Sequence, residues 1–137
     1  MIYNVDVRVT APVNDTEVTD RVADAVHNLF PEADIESRPS ELVGTCHGME
    51  RFSERLHEQA ILDTARGQFF AGRDDDAFEF RLKKQAAFRG VVNFAVGTES
   101  ELGDIRVRVR VNEPDVESYV DHVAPPTEEG RPVDVDS

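Results

Sequence analysis

Ile105-Arg106-Val107-Arg108-Val109-Arg110-Val111 is the stretch on which the fold turns. Apolar and cationic side chains alternate without a break, and in a strand residues i and i+2 share a face. The spacing predicts a half-buried strand, with Ile105, Val107, Val109 and Val111 toward a core and three arginines turned away from it. Phe78, Phe80 and Leu82 alternate with Glu79, Arg81 and Lys83 in the same way. So do Val5, Val7 and Val9 with Asp6, Arg8 and Thr10, up to Pro12.

Outward from these strands, the period changes. Val18, Val22, Ala25, Val26, Leu29 and Phe30 recur at helical spacing; Asn14 or Asp15 is placed to cap that helix, Glu17 completes a capping box with Asn14, and Pro31 ends it. Ala33 to Arg38 reads as a short strand and Pro39 to Gly48 as a loop. Met49, Phe52 and Leu56 open a second helical stretch. It kinks near Gln59-Ala60, where the apolar phase slips, and continues through Ile61, Leu62, Ala65 and Phe69 to Gly72. Asp74-Asp75-Asp76 is a turn, Phe88 to Val96 a further strand, and Gly97 to Glu101 another turn. Pro114 opens a last helix through Val116, Tyr119, Val120 and Val123, which Pro125-Pro126 stops. The order β-α-β-α(α)-β-β-β-α predicts an α+β fold: a largely antiparallel sheet with helices on one face. Residues 1–126 form the single domain of this reading, and 127–137 an acidic, mobile tail.

With 137 residues the chain has the length of one ordinary domain. Its one cysteine, Cys46, excludes an internal disulfide. No apolar run approaches the ~20 residues that span a bilayer, so the expectation is a cytoplasmic protein that engages no membrane. The net charge is -13, arginine supplies 13 of the 15 Lys and Arg residues, and only Lys83 and Lys84 are lysine. Self-repulsion of that size is tolerated where salt screens it, which marks the composition of a halophile. The charge is unevenly spread, because residues 81–110 hold 7 basic and 3 acidic side chains.

If the strands lie in one sheet, Arg81, Lys83, Arg106, Arg108 and Arg110 share its open face, joined by Arg8, while Lys84 and Arg89 belong to the same basic segment. Three readings of that face stand side by side. It is a solvated surface whose arginines pair with Glu79, Asp6 and acidic helices; or a phosphate-tracking surface, since guanidinium forks match phosphate oxygens and stay charged; or a protein-binding edge. Other chemistry is thin. Adjacent Cys46-His47 lacks the spaced ligands of a metal site. Asp74-Asp75-Asp76 lacks the later ligands of a calcium loop. His27, His57 and His122 read as helix residues, the glycines form no phosphate loop, and Asp63 with Arg66 reads as a surface ion pair. No catalytic residue, cofactor or metal is expected.

Gln59-Ala60-Ile61-Leu62-Asp63-Thr64-Ala65-Arg66, then Leu82-Lys83-Lys84-Gln85-Ala86-Ala87-Phe88 leading to Val92-Asn93-Phe94, then Leu102-Gly103-Asp104-Ile105, and Ala124-Pro125-Pro126-Thr127 before Gly130, resemble an archaeal family, uncharacterised protein family 0201. The resemblance covers residues 1 to about 130 and, with the composition, suggests a haloarchaeal member. It implies a fold similar to the large-subunit ribosomal protein that binds 5S rRNA. It also implies RNA binding, ribosomal or exosome-associated; with the basic face, and with most Phe and Tyr residues at core phases, the expectation is a non-enzymatic protein that binds structured RNA. The alternative is an interaction subunit of a larger protein assembly, with a homodimer among the open oligomeric states.

Overall fold

A computed structural model of the chain describes residues 2–99, 103–128 and 131–132. Strand β1 (Asn4–Pro12) buries Val5, Val7, Val9 and Ala11 and exposes Asp6 and Arg8, as the alternation requires. Asn14 and Glu17 bond each other as the capping-box reading expects, with Glu17 Oε1 accepting the Asn14 backbone and side-chain N–H groups at 3.0 and 2.8 Å. They form the turn ahead of α1 (Thr19–Leu29) rather than its cap, which falls on Val18.

The predicted loop after Arg38 is a correction. Asp34–Arg38 (β2) and Glu41–Cys46 (β3) form a hairpin across Pro39-Ser40. Leu42, Val43 and Gly44 are all buried, and a strand buried on both faces shows no alternation to read. The helical stretch divides where the apolar phase slips, into α2 (Glu50–Glu58) and α3 (Leu62–Ala71). Ala60 takes φ 56°, with its N–H on the His57 carbonyl and that of Ile61 on Leu56, a Schellman turn carried by alanine instead of glycine.

A short β4 (Arg73–Asp74) and β5 (Ala77–Lys83) follow. Gly72 passes so close to β5 that a Cβ would stand 1.8 Å from the Glu79 carbonyl oxygen, which no side chain survives. The strand expected over Phe88 to Val96 is also corrected: Lys84–Ala87 is a single turn of helix (α4), and the rest contributes one bridge, Leu82 to Phe94. Strand β6 (Asp104–Glu113) is the arginine strand. Helix α5 (Val116–Val123) is capped by Asp115, which accepts the Ser118 N–H at 2.7 Å, so Pro114 stands just outside it. Thr127–Glu128 (β7) pairs with Arg131–Pro132 (β8). The expected mobility of residues 129–130 and 133–137, and part of the turn over Gly97 to Glu101, lie outside the described residues.

The protein is therefore α+β, with a six-stranded antiparallel sheet in the order β2-β3-β1-β6-β5-β4. Its inner face packs Val5, Val7, Phe78, Phe80, Val107 and Val109 into one core with Val22, Val26, Phe52, Leu62 and Phe69. Phe52 sits at the centre, its ring 5.3 Å from Phe30, 5.5 Å from Phe80 and 6.4 Å from both Phe69 and Phe94. Burying each such ring contributes about 1.5 to 3 kcal/mol from area alone. Because apolar side chains go inward at every second strand position, the polar ones are left together on the far side.

Candidate nucleic-acid interface

On that far side, Arg106, Arg108 and Arg110 are side-chain exposed to 53%, 47% and 63%. Register places Arg108 beside Arg8 on β1 and Glu79 on β5, and Arg106 beside Thr10 and Arg81. Lys83 is exposed at the end of β5. The five strand cations named from the sequence thus share one face, as the alternation predicts. Arg81 is the most constrained, bonding the Asp104 carboxylate at 3.1 Å and the Gly97 carbonyl at 2.7 Å. Asp104 is 1% exposed, and this charged partner offsets its burial.

Two candidates are not on that face. Lys84 is buried, because the chain leaves the strand period at Lys83 and turns into α4, swinging the next side chain toward the helices. Its ammonium bonds Glu17 at 2.9 Å and the Pro12 carbonyl. Arg89 is exposed but follows α4 in a segment held by the helices: Asn28 of α1 donates to the Ala87 and Phe88 carbonyls, and Gly90 lies against Arg55 of α2. The basic segment was legible in the sequence; its division between two sides of the molecule was not.

Acids that the charge count hid are woven between the arginines. Arg110 meets Asp76 at 3.2 Å, Arg108 meets Glu79 at 3.5 Å and Asp74 at 3.6 Å, and Arg106 meets Glu99 at 3.9 Å. These are exposed ion pairs, a type that contributes about 0 to 1 kcal/mol each. Glu79 was expected as a partner; Asp74 ends β4 and Asp76 and Glu99 come from connecting segments, at positions only the fold decides.

A separate concavity lies elsewhere. A cleft of about 620 Å³ opens between the end of α1, the β2–β3 hairpin and the start of α2, lined by Glu32, Asp34, Glu50 and Glu54 with Cys46 and His47. Its carboxylates disfavour a phosphate. Cys46 Sγ lies 3.5 Å from the Gly48 carbonyl, whereas His47 Nδ1 lies 3.3 Å from the Val5 carbonyl and from Asp6, so the pair does not converge on one ion. Burial, with the charges of Glu50 and Glu32, pushes the Cys46 thiol up against the opposing hydrogen bond. Among the described residues, no three His, Cys, Asp or Glu side chains are grouped to hold a metal. No described helix is long and apolar enough to cross a membrane.

The segments that carried the family resemblance mostly hold one another. Gln59 and Val92 exchange two hydrogen bonds of 2.8 Å. Arg66 reaches Asp121 at 2.7 Å and the Ala124 carbonyl at 2.9 Å instead of pairing with Asp63, and Asp63 accepts the Thr127 hydroxyl at 2.8 Å. These residue types at these spacings are thus a framework tying α2, α3, α5 and the segment after α4.

Fold and face define a two-layer α+β protein whose antiparallel sheet is helix-covered on one side and presents charged side chains on the other. No family model matches the chain. A UPF0201 protein of Methanopyrus kandleri is 41% identical over 138 residues, covering 90% of this chain and 87% of the relative. The crystal structure of a UPF0201 protein from Methanococcus jannaschii matches with a TM-score of 0.87 at 32% identity, over 94% of this chain and 99% of that one. A protein of Archaeoglobus fulgidus named for both UPF0200 and UPF0201 is 37% identical over 131 residues; the match takes in 95% of this chain but only 40% of the relative. The chain belongs to uncharacterised protein family 0201.

Proposed function

We propose that this protein is a non-enzymatic RNA-binding protein that takes structured RNA, ribosomal or exosome-associated, on its open sheet face in a salt-rich cytoplasm. The row Arg106, Arg108, Arg110 on β6 carries the reading. Three guanidinium groups are carried about 7 Å apart along a strand, Arg106 and Arg110 each with one exposed ion pair and Arg108 with two, which a phosphate can replace. The family resemblance implies a fold similar to the 5S-rRNA-binding ribosomal protein, and that expectation agrees with this reading.

Charge alone is not enough in molar salt, since log affinity falls by about 0.7 to 0.9 per neutralised phosphate for each decade of salt. Folded RNA, whose shape brings several phosphates to bidentate arginines at once, is the substrate that suits a flat face without exposed aromatic rings. The test is a titration of structured ribosomal RNA and of an unstructured oligonucleotide in molar KCl, with Arg106, Arg108 and Arg110 all changed to Ala. Preferential binding of the structured RNA, lost in the triple variant, is expected. Equal binding of both, or an unchanged triple variant, removes the face from the mechanism.

A second reading, an interaction subunit of a protein assembly, is favoured by the Archaeoglobus fulgidus relative, in which the homologous segment is covalently joined to further chain. Pull-down in multi-molar KCl that enriches protein partners and no RNA would select it.

A further inference from the structure

Two arginines face each other directly across the centre of the sheet. Register pairs Arg8 of β1 with Arg108 of β6, and residues so paired hold their Cβ atoms about 4.5 to 5.5 Å apart. Like charges in that position destabilise a sheet. Arg108 is satisfied on its far side by Glu79 and Asp74, toward β5 and β4. Arg8 is exposed and has no carboxylate within 4.0 Å among the described residues. The acid next along its strand, Asp6, accepts from Asn112 at 3.0 Å and lies 3.3 Å from His47. On the other flank of Arg8, its partner on β3 is the exposed Thr45.

Building on the RNA reading of this face, we infer that Arg8, Arg108 and the Thr45 hydroxyl form the seat of one backbone phosphodiester. Its two non-bridging oxygens accept from the two guanidinium forks, and the hydroxyl adds a neutral donor. The anion resolves the repulsion that the free protein carries. Paired strands fix the backbone of the seat, so only the side chains are ordered on binding. Arg106 and Arg110 flank Arg108 at two residues on either side along β6, about 7 Å each way, so a polymer that enters the seat meets further cations. A free phosphate has no such neighbours to gain and no walled cavity to enter. The ligand is therefore the ribose-phosphate chain and not inorganic phosphate.

The experiment is fluorescence anisotropy with a labelled RNA hairpin on the full chain, across 0.2 to 2 M KCl. It compares wild type with Arg8→Gln, Thr45→Val and Arg21→Gln. Arg21 is exposed on α1, on the helical side, and its variant carries the same change in net charge as Arg8→Gln. Arg8→Gln is expected to weaken binding roughly tenfold, as loss of a charge-assisted hydrogen bond does. It should also flatten the log affinity against log salt slope by about 0.9. Thr45→Val should weaken binding severalfold with the slope unchanged, and Arg21→Gln should match wild type. Inorganic phosphate at 50 mM should displace the hairpin no better than equal ionic strength of KCl. If wild type binds the hairpin and Arg8→Gln behaves like Arg21→Gln, the seat is overturned while the RNA reading stands. Displacement by inorganic phosphate beyond the KCl control overturns the polymer assignment. A wild type that binds no RNA overturns the RNA reading itself, and the seat with it.

Discussion

Replacing Lys84 with Met tests the division of the basic segment most sharply. The ammonium is 2% exposed and bonds Glu17 Oε1 at 2.9 Å and the Pro12 carbonyl. Methionine fills the same volume but leaves the Glu17 carboxylate, itself 9% exposed, with only the Asn14 N–H groups; its Oε2 already has no hydrogen-bond partner. Removing one member of a buried pair typically costs about 3 to 5 kcal/mol. For a chain of this length that lowers the melting temperature by about 10 to 20 °C.

The loss is pH-dependent, and its sign is fixed. Burial pushes the Glu17 carboxyl up, but hydrogen bonds from Asn14 and Lys84 and the Lys84 charge outweigh it and hold the acid below its ordinary value. In wild type, that contributes stability which is present above the unfolded value and lost as pH falls through the depressed one. Without Lys84 the acid rises, so the gap between variant and wild type should narrow as pH falls through the ordinary carboxylate range, where the variant protonates Glu17 before the wild type does. Denaturant unfolding in 2 M KCl from pH 3.5 to 7.5 measures this. Glu17→Gln combined with Lys84→Met should recover part of the loss, because the uncompensated charge is gone. A loss under about 1 kcal/mol at pH 7, or a variant that folds normally but binds RNA as poorly as the arginine triple variant, would place Lys84 on the surface and refute the reasoning.

Ala60→Gly should stabilise the protein by about 0.5 to 1 kcal/mol by relieving a left-handed alanine at the end of α2, read as a rise in the denaturation midpoint; a fall would mean that the methyl group packs. Phe80→Ala should cost about 3 to 5 kcal/mol, since its ring lies 4.9 Å from Phe69, 5.5 Å from Phe52 and 5.7 Å from Phe94; a cost below about 1 kcal/mol would remove it from the core. The melting temperature should climb as KCl rises from tens of millimolar to molar, because screening relieves the repulsion of a net charge of -13; a flat or falling curve would remove the halophile reading.

Period decided what the sequence alone determined. Wherever one face of a strand is buried and the other wet, as at Val5–Val9, Phe78–Leu82 and Ile105–Val111, alternation encodes both the core and the outward cations. Helical phase likewise recorded the break at Gln59-Ala60. That signal fails where both faces are covered, so Leu42-Val43-Gly44 did not declare a strand. It fails again where the chain changes period within one residue, so Lys84 read as a surface cation like Lys83. The tertiary structure also decided every pairing between distant segments: Lys84 with Glu17, Gln59 with Val92, Arg66 with Asp121, and Arg8 facing Arg108 across a register that no local rule states. Local sequence specifies which way a side chain points relative to its own backbone; what it meets there depends on strand order, and strand order is set by how all the apolar faces close on a single core.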